Sequence, residues 1–192
     1  IRRQDREGKA AGLNEAVRHA RGEIIVFSDA NSLFDRDAIM RMAENFSDPG
    51  VGYVTGKHRY VTEGSTLSGS GGSAYMKYEN ALRVLETRFG SIIGVNGGVD
   101  AIRRNLYSNI PKELITDFVL PLHVIARRYR VIYDSRVVSR ELANKQLGPE
   151  FRMRVRVALR ALQGLVYMKQ LLNPFRHPVP ALNALEGAIN SA

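Results

Sequence analysis

A few acidic, amide and cationic side chains are the groups in this sequence that could do chemistry. Asp29-Ala30-Asn31 follows the apolar run Ile24-Ile25-Val26-Phe27. An acidic residue at the carboxyl end of a buried strand faces the crevice where α/β proteins bind ligands, and oxygen ligands there suit a hard divalent cation bridging to phosphates. The same residues also suit a helix cap or a turn. Gly8-Lys9-Ala10-Ala11-Gly12-Leu13-Asn14 opens a helical pattern. Free N–H groups and a lysine at such a start favour an anionic ligand, although a glycine stop and a surface lysine need none. Thr116-Asp117-Phe118 stands ahead of an apolar helix. A carboxylate there could accept a proton from an attacking hydroxyl or cap the helix. Gly94-Val95-Asn96-Gly97-Gly98 lets backbone approach a ligand closely or simply turns the chain. Arg103-Arg104 behind it could bind phosphate or face solvent. In the segment Glu150 to Arg156, Arg152 and Arg156 are four apart and share a helical face. Guanidinium groups suit a bidentate grip on pyrophosphate and equally a solvated or lipid-facing basic helix.

The elements that must position these groups read as an alternation of helices and strands. Apolar residues recur at helical spacing from Lys9 to Ala20, and Gly22 ends the run. Glu23 to Ser28 has the length and apolar density of a strand buried on both faces. A second helix is predicted from Asp35, as N-cap, to Phe46. Val51 to Val61 reads as a strand, residues 64–73 as a Gly/Ser loop, and Tyr75 to Phe89 as a third helix. A strand near Val99 to Ile102, a helix containing Phe118 to Ala126 and a strand from Tyr129 to Tyr133 follow. Arg152 to Leu172 reads as a long basic amphipathic helix closed by Asn173-Pro174. This order predicts an α/β sheet.

Composition sets the outer bounds. The chain has 192 residues, 44% hydrophobic and 24% charged, which suits a globular domain with a real core. No apolar run reaches the roughly 18 residues of a membrane-spanning helix. Ile1 leads into Arg2-Arg3-Gln4-Asp5 with neither an initiator Met nor a signal peptide, which points to a start further upstream. Cysteine is absent, which excludes disulfides, thiolate catalysis and cysteine-ligated metal sites. The net charge of +9 is local: residues 1–117 carry 16 Lys/Arg against 15 Asp/Glu, and residues 118–192 carry 12 against 4. A basic face of this kind attracts polyanions such as anionic lipid or pyrophosphate. A nucleic-acid partner is not expected, because no recognised binding motif or basic–aromatic interleaving accompanies the charge. The composition shift near Gln146 to Pro149 divides the chain into a core over 1–147 and a basic appendage over 148–192.

Taken in order, these segments resemble the family 2 glycosyltransferases, the inverting enzymes that include cellulose, chitin, hyaluronan and poly-N-acetylglucosamine synthases. The resemblance runs from about Gly8 to Pro174. A Gly-Lys…Leu-Asn helix before a strand ending in a DxD motif is matched by Lys9, Leu13, Asn14 and Asp29-Ala30-Asn31. A Gly-rich acceptor-side turn followed by Arg-Arg is matched by Gly97, Gly98, Arg103 and Arg104, and a Thr-Glu-Asp or Asp-Asp motif by Thr116-Asp117. A Gln-x-x-Arg-Trp motif is matched in part by Met153-Arg154-Val155-Arg156-Val157.

The resemblance implies a partial GT-A fold, the Rossmann-like nucleotide-diphospho-sugar transferase sheet, lacking its first strands and carrying a C-terminal amphipathic helix. It implies Asp117 as catalytic base, with Lys9, Asn14, Asp29, Arg154 and Arg156 on the donor. Gly97, Gly98 and Arg103 would face the acceptor, and Asp29 and Asn31 would hold Mg²⁺ or Mn²⁺. The implied partners are a nucleotide-sugar, a glycan or lipid-linked acceptor and an anionic membrane surface, at the cytoplasmic face of the cell membrane. Asn31 stands where the motif has its second acid, Thr116 where it has the acid before the base, and Met153 and Val157 replace Gln and Trp. Nothing before Gly8 supplies the family's opening strand and Asp-Asp-Gly-Ser segment, so an N-terminally truncated core is expected. The rival expectation is an inactive fragment or a membrane-surface interaction module.

Overall fold

β-Branched and aromatic residues cluster in the stretches that become strands. The computed structural model describes residues 8–61, 70–95, 97–142, 159, 162–164 and 166–172. Five strands are present: β1 (Ile24–Ser28), β2 (Ser32–Phe34), β3 (Val51–Val61), β4 (Val99–Arg103) and β5 (Arg130–Leu142). They form one mixed sheet in the order β1-β4-β3-β5-β2. β3 and β5 run parallel, and the other neighbours pair antiparallel. Packed with them are the helices α1 (Lys9–His19), α2 (Ala38–Asn45), α3 (Ser70–Phe89) and α4 (Thr116–Ala126).

Because successive strand residues face opposite ways, the sheet supplies two cores. Val54, Val99, Ala101 and Ile132 meet Ala38, Met42 and Phe46 on one face. The last three lie four apart and form one stripe of α2. Tyr53, Ile102, Val131 and Tyr133 meet Phe118, Val119 and Leu122 of α4 on the other. Val51 and Tyr53 fall in different cores because the β3–β5 pairing slips between them. Gly52 sits at that slip. A methyl group there would lie 2.6–2.7 Å from Leu106, Tyr129 and Val124, so only glycine fits.

α4 is apolar nearly all round, which is why it packs with eight buried residues. Its Pro121 has no N–H to offer the carbonyl of Asp117, one turn back. α1 is tied down by Asn14. Its amide donates to the Ile110 carbonyl (2.9 Å), while its side-chain oxygen accepts from the Tyr107 hydroxyl (2.7 Å) and the Ile110 N–H (3.1 Å).

Beyond β5, the described residues 162–164 and 166–167 are helical. Gly164 packs against Phe118 and Val119, and Met168 and Leu171 are buried in the α4-side core. Leu159, Leu162, Val166 and Tyr167 point outward and are exposed. No helix among the described residues is long and apolar enough to cross a membrane.

Several boundaries differ from the sequence reading. α2 begins at Ala38, and Asp35 does not cap it, since its carboxylate pairs with Arg140 at 2.9 Å. α3 begins at Ser70, inside the stretch read as loop. β5 continues well past Tyr133, and β2 was not anticipated. The division at 147/148, and the first turns of the basic helix, lie outside the described residues.

Two substitutions test this packing. Gly52→Ala is expected to destabilise the fold by about 1–3 kcal/mol through overpacking. Asn14→Ala is expected to cost about 1–3 kcal/mol by orphaning the groups that it bridges. Urea unfolding midpoints measure both.

Candidate functional site

β1 carries Asp29 to the edge of the sheet, and the N-terminal ends of α1 and α4 meet it there. Lys9, the first residue of α1, reaches both acids. Its ammonium is 3.0 Å from Asp29 Oδ1 and 3.2 Å from Asp117 Oδ2. The second Asp117 oxygen accepts from the Thr116 hydroxyl at 3.2 Å. All three charged side chains keep access to solvent, at 47% for Lys9, 43% for Asp29 and 29% for Asp117. Burial pulls the Lys9 pKa down, but Asp117 and Asp29 more than offset this and hold it above the ordinary lysine value. The site therefore joins a fixed cation, two carboxylates and two helix N-termini, whose free N–H groups favour anions.

Gly97 and Gly98 form its wall. Both have positive φ, 26° and 83°, which suits glycine. A methyl group at Gly97 would lie 2.5 Å from Asp117 Oδ2, and one at Gly98 would lie 2.9 Å from Asp29 Oδ2. The turn is thus glycine because its backbone presses against both acids.

Of the residues singled out in the sequence, Lys9, Asp29, Asp117, Gly97 and Gly98 come together. Asn31 is on the same loop as Asp29 and donates its amide N–H to Glu141. Asn14 lies apart from the acids, its side chain engaged by Tyr107 and Ile110. Arg103 is not in the site either. It ends β4 at the far edge, opposite Ile24, whereas Ser28 at the site end is opposite Val99. The two ends are four residue steps apart, about 13 Å. Arg103 instead donates to the carbonyls of Val51, Phe46 and Asp48 and lies over the Phe46 ring. The acceptor-side placement expected of it is not what the fold provides. Arg154 and Arg156 lie outside the described residues.

One group passed unnoticed in the sequence. Asp100 lies in the apolar run Val99-Asp100-Ala101-Ile102, and that single acid inside a buried strand was its only signal. It faces Thr55 across β3–β4 and is 1% exposed. Neither of its oxygens, nor the Thr55 hydroxyl, has a partner in good hydrogen-bond geometry. Burial pushes its carboxyl up to about 7, with Asp117 and Asp29 adding to the rise and the nearby Thr55 hydroxyl and Lys9 opposing it. In the unfolded chain the carboxyl returns to 3.8, so the folded protein holds the extra proton between 3.8 and about 7. Stability is then expected to fall as pH rises through that window. Asp100→Asn should flatten this dependence, as read from denaturant midpoints at its two ends.

Comparison with known proteins agrees with this architecture. The family model for glycosyl transferase family 2 matches residues 1–110. Poly-beta-1,6-N-acetyl-D-glucosamine synthase of Staphylococcus aureus is 27% identical over 160 residues, which cover 81% of this chain and 39% of that protein. An N-acetylglucosaminyltransferase of Azorhizobium caulinodans is 27% identical over 168 residues, covering 79% of this chain and 42% of that protein. The chain therefore spans about two fifths of the curated relatives it matches. Among solved structures, the mannosyltransferase PcManGT of Pyrobaculum calidifontis, in complex with GDP-Man and Mn²⁺, superposes with a TM-score of 0.70 at 25% identity. The match covers 100% of this chain and 57% of that one. Mannosyl-3-phosphoglycerate synthase of Rubrobacter xylanophilus shares the fold, at TM-score 0.52 and 19% identity over 88% of this chain and 54% of that one. The mixed sheet is of the GT-A type, and since the family match takes in more than half of its residues, this chain belongs to glycosyl transferase family 2.

Proposed function

We propose that this chain is the catalytic core of an inverting glycosyltransferase. It moves a sugar from a nucleotide-diphospho-sugar to a hydroxyl of a glycan or lipid-linked acceptor. The observation that carries this reading is the Lys9 ammonium held between Asp29 and Asp117, at the shared N-terminal ends of α1 and α4. The relatives named as N-acetylglucosamine synthase and transferase, and the neighbour solved with GDP-Man and Mn²⁺, support the same class of donor.

Asp117 is the base in this scheme. Thr116 fixes one of its oxygens, and the other takes the proton of the acceptor hydroxyl. The acceptor oxygen forms its bond to the anomeric carbon from the face opposite the nucleoside diphosphate. The bond from that carbon to the diphosphate oxygen breaks, and the electron pair leaves with the diphosphate. Lys9 and the helix N-termini are placed to favour the resulting anion. Gly97 and Gly98 bring their backbone against both acids and so wall the site on that side.

A divalent cation fits the residues present. The Lys9 ammonium bridging the two carboxylates supports a site that favours cations. No group of three His, Cys, Asp or Glu among the described residues would hold a metal by itself. Asp29 and Asn31 would therefore share the ion with the donor's phosphates, as Mg²⁺ and Mn²⁺ commonly are shared. Bound there, Mg²⁺ or Mn²⁺ supplies Lewis-acid stabilisation of the leaving diphosphate.

The outward row Leu159, Leu162, Val166 and Tyr167, together with the basic charge of residues 118–192, supports a second element of this proposal. That face rests on an anionic membrane surface, at the cytoplasmic side. It is compatible with transfer and is also the property that an inactive surface module would retain.

In the complete protein, Asp117→Asn should lower kcat by about 100-fold to 10,000-fold while donor binding persists. Radiolabelled sugar transfer and nucleotide-sugar titration read the two effects, and near-normal turnover removes Asp117 from the base role. Chelation by EDTA should abolish transfer and added Mn²⁺ or Mg²⁺ restore it, measured in the same assay. Leu162→Glu should reduce co-sedimentation with anionic vesicles.

A further inference from the structure

Beside the transfer site, a polar chain runs from the buried pair His58 and Ser139 through the partly exposed Glu141 to Asn31 on the loop between β1 and β2. His58 of β3 is 8% exposed and sits opposite Ser139 of β5 in the parallel register. Its Nε2 is 2.6 Å from Glu141 Oε2, and its Nδ1 is 3.3 Å from the Ser139 hydroxyl. The other Glu141 oxygen accepts from the Asn31 amide, 110 residues away in sequence. β2 begins at the next residue, with Ser32 paired opposite Glu141. The order serine, histidine, carboxylate is that of a hydrolytic triad, but Ser139 is fully buried and offers no nucleophile to a substrate.

An amide is oxygen at one end and nitrogen at the other, and only the oxygen can bind a cation. Glu141, when ionised, can only accept, so it must face the nitrogen end of Asn31. The carbonyl end is thereby left free of Glu141. His58 in turn donates from Nε2 to Glu141, and its Nδ1 can then accept from the Ser139 hydroxyl.

We infer that Glu141, anchored by His58, is a positioning residue that orients the Asn31 amide so that its oxygen joins Asp29 in holding the divalent cation of a nucleotide-sugar. The inference rests on the cation reading given above. It also accounts for the amide at position 31. A carboxylate there would have an oxygen at both ends, would need no orienting partner, and would repel Glu141. Asn31 and Glu141 therefore form a matched pair. Partners of this kind, one step removed from a metal, typically alter metal affinity by about 10-fold to 100-fold.

The test is Mn²⁺ titration of the complete protein in the presence of saturating GDP or UDP, with the same nucleotide without protein as control, followed by the electron paramagnetic resonance signal of free Mn²⁺. Glu141→Ala should raise the Mn²⁺ Kd by about tenfold. Combined with Asn31→Asp, the same change should cause no loss, because the ligand no longer depends on orientation. Glu141→Gln, nearly the same shape, is titrated in parallel for the case that Glu141→Ala does not fold. It should show the same pattern at smaller size, including cancellation by Asn31→Asp. Wild-type affinity in folded Glu141 variants overturns the inference, as does an equal loss in the Asn31→Asp background, which would mark Glu141 as merely structural. Asp29→Asn separates this from the underlying reading. If it leaves Mn²⁺ binding unchanged, or if the wild type binds none, the cation site itself falls and the inference with it.

Discussion

The arrangement depends on one ammonium group between two carboxylates. Asp29 ends a strand and Asp117 begins a helix, and nothing in either element alone draws the two acids together. Lys9 does, and it comes from a third element. In a partly exposed setting such contacts add only about 0–1 kcal/mol each to stability. Their importance is local: without the lysine, like charges would face each other across a wall of glycine backbone. The lysine's own position depends in turn on Asn14, which pins α1 to the chain that follows β4.

What the sequence disclosed follows from how local each signal is. Lys9 at a helix start, Asp29 after an apolar run and Asp117 ahead of an apolar helix are all readable within a few residues, and the structure gathers them. β2 has only three residues, too few to show a period. β5 was read only to Tyr133, just before its regular pairing with β3 breaks. There the β3 pairing jumps from Asp134 to Val138, and Asp134 is held by Arg136 and Asn45. Arg103 was read through its neighbour Arg104 and the turn before it, yet strand length carries it to the wrong end of β4 and sets it over three carbonyls. Asp100, His58 and Glu141 gave almost no linear signal, since each acquires meaning only from the strand beside it.

The unpaired oxygens are distributed unevenly. Ser32, Thr55 and Asp100 all bury side-chain oxygens that lack partners. Ser32 Oγ lies near Gly98, and Asp100 feels the charges of Lys9, Asp29 and Asp117. Buried polar atoms without partners normally cost stability. Among the described residues these oxygens cluster at the corner where a ligand is proposed to bind, while the opposite face is packed with Ala38, Met42 and Val54.

Strand order also governs when the corner can take shape. Among the described residues β2 pairs with β5 and β1 with β4, so the loop between β1 and β2 is framed by strands made much later in the chain. During synthesis β1 and β2 emerge before β4 and β5, and these long-range pairings slow sheet closure. The ribosome must release the chain through Leu142 before the loop bearing Asp29 and Asn31 is anchored on both sides. An unfinished polypeptide therefore exposes its apolar strands well before this loop is framed.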